Sequence, residues 1–133
     1  MSGPVLDACA LIALLRNEPG ADRVAELLEA NPVCAIGAVN LAEVLYDAAR
    51  HDGQAMARSI LADIRALPIE IVARVDDELL LRVAEFKSRG RLSLADAFAL
   101  GLAASRGVPL ATADHHEFDV IEKAGLVAFE WIR

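Results

Sequence analysis

Apolar residues recur along this chain in two alternating rhythms. Short runs at 5–7, 33–36, 69–72, 110–112 and 126–129 are only three or four residues long. Turn formers such as Asn31-Pro32, Pro68 and Gly107-Val108-Pro109 bound them, which is the pattern of brief buried strands. Between these runs the apolar spacing changes to three and four, the period of a helix with one apolar face. Helices are predicted over 10–16, 20–30, 41–51, 54–66, 76–87 and 94–105. The last is almost wholly apolar, so it belongs at the centre. The helix at 76–87 carries acids in its first turn, where the helix dipole favours them. Strands alternating with helices predict an α/β fold. A central parallel sheet of four to five strands would be flanked by helices on both faces (α/β/α), in a single domain over 1–133.

Composition narrows the class. At 133 residues and 14.2 kDa the chain suits one domain. Apolar residues make up 56%, too many for a disordered linker. Each apolar stretch is broken by a carboxylate or an arginine, so no membrane span is expected. The balance of 13 basic against 20 acidic residues leaves a net charge of −7, which excludes coating nucleic acid through the overall field. Cys9 and Cys34 lie in apolar sequence with no histidine at metal spacing and read as buried free thiols. No positive segment opens the chain as in a signal peptide, so a cytoplasmic protein is expected.

Four acids stand in the wrong places. Asp7, Glu43, Asp96 and Asp114 each lie in otherwise apolar sequence. Asp7 and Asp114 close predicted parallel strands, where open α/β sheets place their sites. Glu43 and Asp96 fall in the first turns of two helices that must pack on that sheet. If the four converge, two carboxylates about 5 Å apart at an effective dielectric of about 20 repel by roughly 3 kcal/mol. No Lys or Arg lies within two residues of any of them. A hard divalent cation, Mg²⁺ or Mn²⁺, relieves such a cluster and keeps waters for chemistry. The plainer reading is helix capping. Asn40 with Glu43 and Ser93 with Asp96 both match a capping box, and Asp7 and Asp114 could each cap a short helix. The two readings are compatible, since a cap on Asn40 or Ser93 would fix the helix start that carries the ligand.

The stretches Val5-Leu6-Asp7-Ala8, Asn40-Leu41-Ala42-Glu43-Val44, Leu92-Ser93-Leu94-Ala95-Asp96-Ala97 and Thr112-Ala113-Asp114 with Phe118, closing on Trp131-Ile132-Arg133, resemble the PIN-domain ribonucleases. Within these they resemble the VapC-type toxins of bacterial toxin–antitoxin pairs. The resemblance implies a homodimeric Mg²⁺- or Mn²⁺-dependent endoribonuclease. Asp7, Glu43, Asp96 and Asp114 would form its catalytic metal site, with Thr112 supporting them by hydrogen bonding. It further implies a small VapB-type antitoxin that covers the site. The rival within the same fold is a non-catalytic PIN-like binding module, expected to have lost one or more of the acids. A haloacid-dehalogenase-type phosphatase would need a second Asp two residues after Asp7, where Cys9 stands.

Other residues carry weaker signals. Lys87, Arg89 and Arg91 form the one dense basic stretch, read either as a helix C-terminus or as phosphate positioning beside the site. Arg16 and Arg50 are further candidates. His115 and His116 read as solvated loop residues, and His51 carries no assignment. Asp119 reads as an outer ligand or as the cap of a short helix over 120–123. Leu11, Leu14, Leu15, Leu27 and Leu28 exceed what a small helix layer easily buries: core is the default reading, and a subunit interface or an antitoxin groove the sharper one.

Overall fold

The structure, a computed structural model, describes residues 3–133; Met1 and Ser2, where a leader was sought, lie outside the described residues. Among the described residues five parallel strands form one sheet: β1 (Val5–Leu6), β2 (Cys34–Gly37), β3 (Ile69–Val72), β4 (Leu110–Thr112) and β5 (Phe129–Trp131). Their order is β3-β2-β1-β4-β5. Val5 pairs with both Ala35 and Leu110, so β1 is central. The chain winds outward from β1 through β2 to β3, then crosses back to β4 on the other side. The point of reversal lies between β1 and β4, the place where sheets of this kind open a crevice at their carboxyl ends.

Among the described residues seven helices cover the sheet: α1 (Ala8–Arg16), α2 (Ala21–Ala30), α3 (Ala38–Asp52), α4 (Gln54–Arg65), α5 (Asp77–Ser88), α6 (Leu94–Arg106) and α7 (His115–Lys123). Successive strand residues point to opposite faces, and the core divides accordingly. Leu6, Cys34, Ile36 and Ala111 pack beneath α1 to α4, against Leu11, Val24, Leu41 and Ile64. Val5, Ala35 and Leu110 pack beneath α5 to α7, against Val83, Phe86, Leu100 and Phe118. This is the three-layer α/β/α arrangement that the alternation predicts. The surplus leucines are accounted for within it. Leu11 and Leu27 are buried, and Leu14, Leu15 and Leu28 pack half-buried on the same core.

Small residues let α6 lie close to its neighbours. A Cβ on Gly101 would stand 3.2 Å from Leu79 and Val83 side chains of α5, so any larger residue there would push the two helices apart. Helix α6 ends at Gly107, whose φ of 64° is the left-handed conformation that favours glycine.

Several boundaries differ from the sequence expectation: α1 starts at Ala8, two residues early, because Asp7 caps it, and most other ends move by a residue. Helix α3 begins at Ala38, directly after β2, with Gly37 as its cap residue. Asn40 is therefore inside the helix and caps nothing, and Glu43 lies in the second turn, not the first. Helix α7 begins at His115 with Asp114 as its cap, so Asp119 is mid-helix and is not a cap. Strand β5 lies at 129–131 because the segment before it closes the turn after α7, with the Leu126 amide donating to the Ile121 carbonyl. Strand β2 is displaced by one residue, to Cys34–Gly37.

Candidate active site

The crevice at the switch point is a cleft of about 280 Å³. Asp7, Glu43, Asp96 and Asp114 all line it, with Cys9, Tyr46 and Asp47. The sheet supplies two of the acids. Asp7 follows β1 and is 5% exposed. Its Oδ1 accepts the Ala8 amide at 2.8 Å, so it caps α1, and its Oδ2 accepts the Thr112 hydroxyl at 2.9 Å. Thr112, fully buried at the end of β4, in turn accepts the Asp114 amide at 3.2 Å. One hydroxyl therefore ties both strand-end acids together. Asp114 caps α7 through Oδ1, which accepts the Glu117 amide at 3.3 Å.

The helices supply the other two, one from each face of the sheet. Ser93 and Asp96 form a reciprocal capping box at the start of α6. The Asp96 amide donates to Ser93 Oγ at 3.0 Å, and the Ser93 amide donates to Asp96 Oδ2 at 3.2 Å. Glu43 projects from α3, with Asn40 Nδ2 3.5 Å from its Oε1. The same nitrogen donates to the Ala95 carbonyl at 3.1 Å. Asn40 is thus a brace between α3 and the first turn of α6. A tertiary partner has taken the side chain that the sequence pattern assigned to a cap.

Capping and clustering coexist. Asp7, Asp96 and Asp114 each cap or box their own helix, yet they share one cleft. In Asp96 and Asp114 the tether uses one carboxylate oxygen; among the described residues Asp96 Oδ1 and Asp114 Oδ2 receive no protein hydrogen bond. Asp47 is the exception on the charge side. Arg16 Nε lies 3.0 Å from it and His51 Nδ1 3.4 Å. The other four acids have no cation paired with them among the described residues, and no Lys or Arg lines the cleft.

Proton affinities follow from this. Burial pushes the Asp7 carboxyl up to about 6. The Thr112 hydroxyl opposes that rise, and the charges of Asp96 and Glu43 add to it. Glu43 is raised by burial and then by the charge of Asp96. Asp96 is raised by burial, held back by its Ser93 bonds, and raised again by Asp114 and Glu117. Burial and the neighbouring Asp7 charge push the Cys9 thiol up to about 12. These groups resist being charged together, as like charges in a shared, partly dry site must.

The sequence matches the PIN domain over residues 5–124. The chain belongs to the PIN domain family. Solved structures with the same fold include a DNA-bound VapBC complex from Salmonella typhimurium, at 16% identity over 100% of both chains with a TM-score of 0.75. VapBC-1 from nontypeable Haemophilus influenzae aligns at 18% identity over 99% of this chain and 98% of its own, with a TM-score of 0.74. Mycobacterium tuberculosis VapC20, a toxin that cleaves the sarcin-ricin loop, aligns at 18% identity over 78% and 83%, with a TM-score of 0.64. Among curated proteins none matches the chain by sequence.

In this PIN domain the remaining candidates lie as follows. Arg89 and Arg91 line a neighbouring cleft, while Lys87 points to solvent from the last turn of α5. Arg16 pairs with Asp47, and Arg50 lies over the Tyr46 ring at 5.6 Å. His115 and His116 are exposed in the first turn of α7, not in a loop, and Asp119 lies 3.7 Å from His115. Cys34 is buried, but Cys9 is half-buried in the acid cleft, with Sγ 3.5 Å from Asp7 Oδ2 and 3.3 Å from Thr112 Oγ1. Sequence reasoning missed Cys9, Tyr46, Asp47 and Glu117 as site neighbours. Tyr46 and Asp47 lie three and four residues after Glu43, the spacing that puts side chains on one helix face.

The donor set suits a hard cation: carboxylate oxygens from four directions, partly tethered and unanswered by any positive side chain. Among the described residues no three carboxylate, imidazole or thiol groups already form a coordination shell. Also among these residues, no helix is long and apolar enough to cross a membrane.

Proposed function

We propose that this PIN domain is an endoribonuclease that depends on Mg²⁺ or Mn²⁺, acting as a VapC-type toxin neutralised by a cognate VapB-type antitoxin. The observation that carries the reading is one cleft holding four carboxylates with no cation to answer them. Asp7, Glu43, Asp96 and Asp114 would hold a divalent ion, which would supply charge neutralisation for the phosphoryl group and lower the proton affinity of water. The chain's own residues do the rest. Thr112 donates to Asp7 Oδ2 and so favours its anionic, ligating form. Ser93 holds Asp96 by one oxygen, and Asn40 sets the distance between α3 and α6. Glu43, the most exposed of the four, keeps Oε2 for the ion, since Asn40 Nδ2 stands at Oε1. Cys9 stays protonated with its thiol near 12, so it is no nucleophile.

The partners fit the same picture. The structural neighbours include VapBC complexes and FitAB bound to DNA. A groove of about 200 Å³ between α1, α3 and α4, lined by Ile12, Leu15 and Met56 with Arg16 and Asp52, borders the acid cleft and suits an amphipathic antitoxin segment. Exposed Leu80 and Leu81 on α5 supply an apolar face for a homodimer. A cytoplasmic enzyme follows from an RNA substrate and free thiols. Expression in a bacterial host, with new RNA ends mapped, tests the reading. Growth arrest and discrete cuts are expected for the wild type and not for Asp7→Asn. Unchanged RNA in both would turn the assignment to a binding module.

A further inference from the structure

Beside the acid cleft lies a second one, of about 330 Å³, between the turn after α5 and helix α7. That size is within the range of small-ligand sites. Its floor is apolar, formed by Leu92, Val120 and Ile121, and its rim carries Arg89, Arg91 and His116. Val120 is 68% exposed, an apolar side chain with nothing over it. Two short connections join this cleft to the acids. Glu117 lines it and gives its amide to Asp114 Oδ1. Leu92 immediately precedes Ser93, whose cap holds Asp96. An occupant of this cleft therefore touches the same two segments that hold Asp96 and Asp114.

The charges say what kind of group that is. The helix dipole accounts for Lys87 and Arg89 at the end of α5. It does not account for Arg91, which lies beyond the helix and forms no ion pair among the described residues. Arg89 meets only Glu85, at 3.4 Å on the surface. An apolar floor edged by guanidinium groups and the His116 imidazole matches an unpaired nucleobase with its phosphate: bases stack on aromatic rings and guanidinium planes, and arginine binds the backbone. We propose that this cleft receives one unpaired nucleobase of the RNA substrate, with Arg89 and Arg91 on its phosphate, and so selects which nucleotide lies beside the scissile bond. The inference deepens the nuclease reading and rests on it for the substrate class.

A double comparison tests it. A short single-stranded RNA containing one cut site is prepared with an abasic nucleotide at each position in turn. Wild type, Arg91→Ala and Val120→Asp are compared by cleavage kinetics in Mn²⁺ and by fluorescence anisotropy of the labelled RNA in EDTA. Val120 and Arg91 are exposed, so both variants are expected to fold, which circular dichroism checks. For the wild type, one abasic position next to the cut should weaken binding and raise KM about tenfold, the loss of one stacked base. Val120→Asp should show that loss on the intact RNA and no further loss at the abasic position. Equal abasic profiles in wild type and Val120→Asp would overturn the proposal. So would a Val120→Asp effect confined to antitoxin binding, which would assign the cleft to that partner. If the wild type cleaves no RNA but anisotropy still shows the position-specific loss, the nuclease reading fails while the base site stands.

Discussion

Asp7 is gripped by two donors and still resists ionisation, because burial outweighs what the Ala8 amide and Thr112 hydroxyl return. Its carboxyl sits at about 6 in the folded chain, against an ordinary value of 3.8. The folded form thus holds this proton more tightly than the unfolded one. The resulting stability is fully present below about pH 4 and is lost as pH rises through about 6. A shift of this size corresponds to about 3 kcal/mol. In EDTA, Asp7→Asn should therefore melt close to the wild type at pH 4 and increasingly above it towards pH 7. The measurement is the Tm difference across that interval. A difference that stays flat, or a wild type that gains on the variant, would show that Asp7 ionises freely. Asn keeps an oxygen able to cap α1 but puts an amide nitrogen where Oδ2 accepts from Thr112; that change is the same at every pH, so the pH-dependent part of the difference isolates the charge. Cys9 needs no separate explanation: beside Asp7 its thiol is a compact neutral neighbour.

The starts of the helices do most of the aiming. Ser93 and Asp96 lock the first turn of α6, and Asp114 locks that of α7. Ser93→Ala should cost about 1 kcal/mol in urea unfolding, the usual loss of such a cap. Because Asp96 loses the hydroxyl that holds its amide, cleavage should fall as well, while Ser93→Thr should retain both. An Ala variant that unfolds earlier but cuts at the wild-type rate would show that the box serves stability alone. These starts were also the uneven part of what the sequence disclosed. The alternation of strands and helices was plain, since each strand residue faces one of two buried layers. The Ser93 box was legible because both partners are three residues apart and answer each other. The Asn40 pattern looked the same, yet its amide reaches Ala95, fifty-five residues away, and nothing local reports that. The convergence of the four acids was inferred from strand ends and unexplained charge. Tyr46 and Asp47 carry no signal in the sequence, because a polar residue on a helix face is ordinary until a neighbouring cleft makes it matter.

Taken whole, the molecule carries a net charge of −7 and concentrates uncompensated anions where its sheet opens. Adding a cation should therefore act on the entire fold. Mn²⁺ at about 100 times its dissociation constant should stabilise the wild type by about 2.7 kcal/mol. Differential scanning fluorimetry should show a Tm rise in the wild type and a much smaller one in Asp96→Asn. Equal rises would place the ion elsewhere. One remote arrangement bears on how long this cleft keeps its shape. Trp131 of β5 lies flat on His115 at 3.7 Å, and His115 Nε2 donates to the Arg133 carbonyl at 2.9 Å. Arg133 in turn reaches the Pro19 carbonyl, in the turn before α2. His115 is the residue next to Asp114. The outermost strand is thus a wedge driven behind the fourth acid, and trimming the chain back to Phe129 would free the first turn of α7 and also strip Ile132 out of the layer beneath α1 to α4.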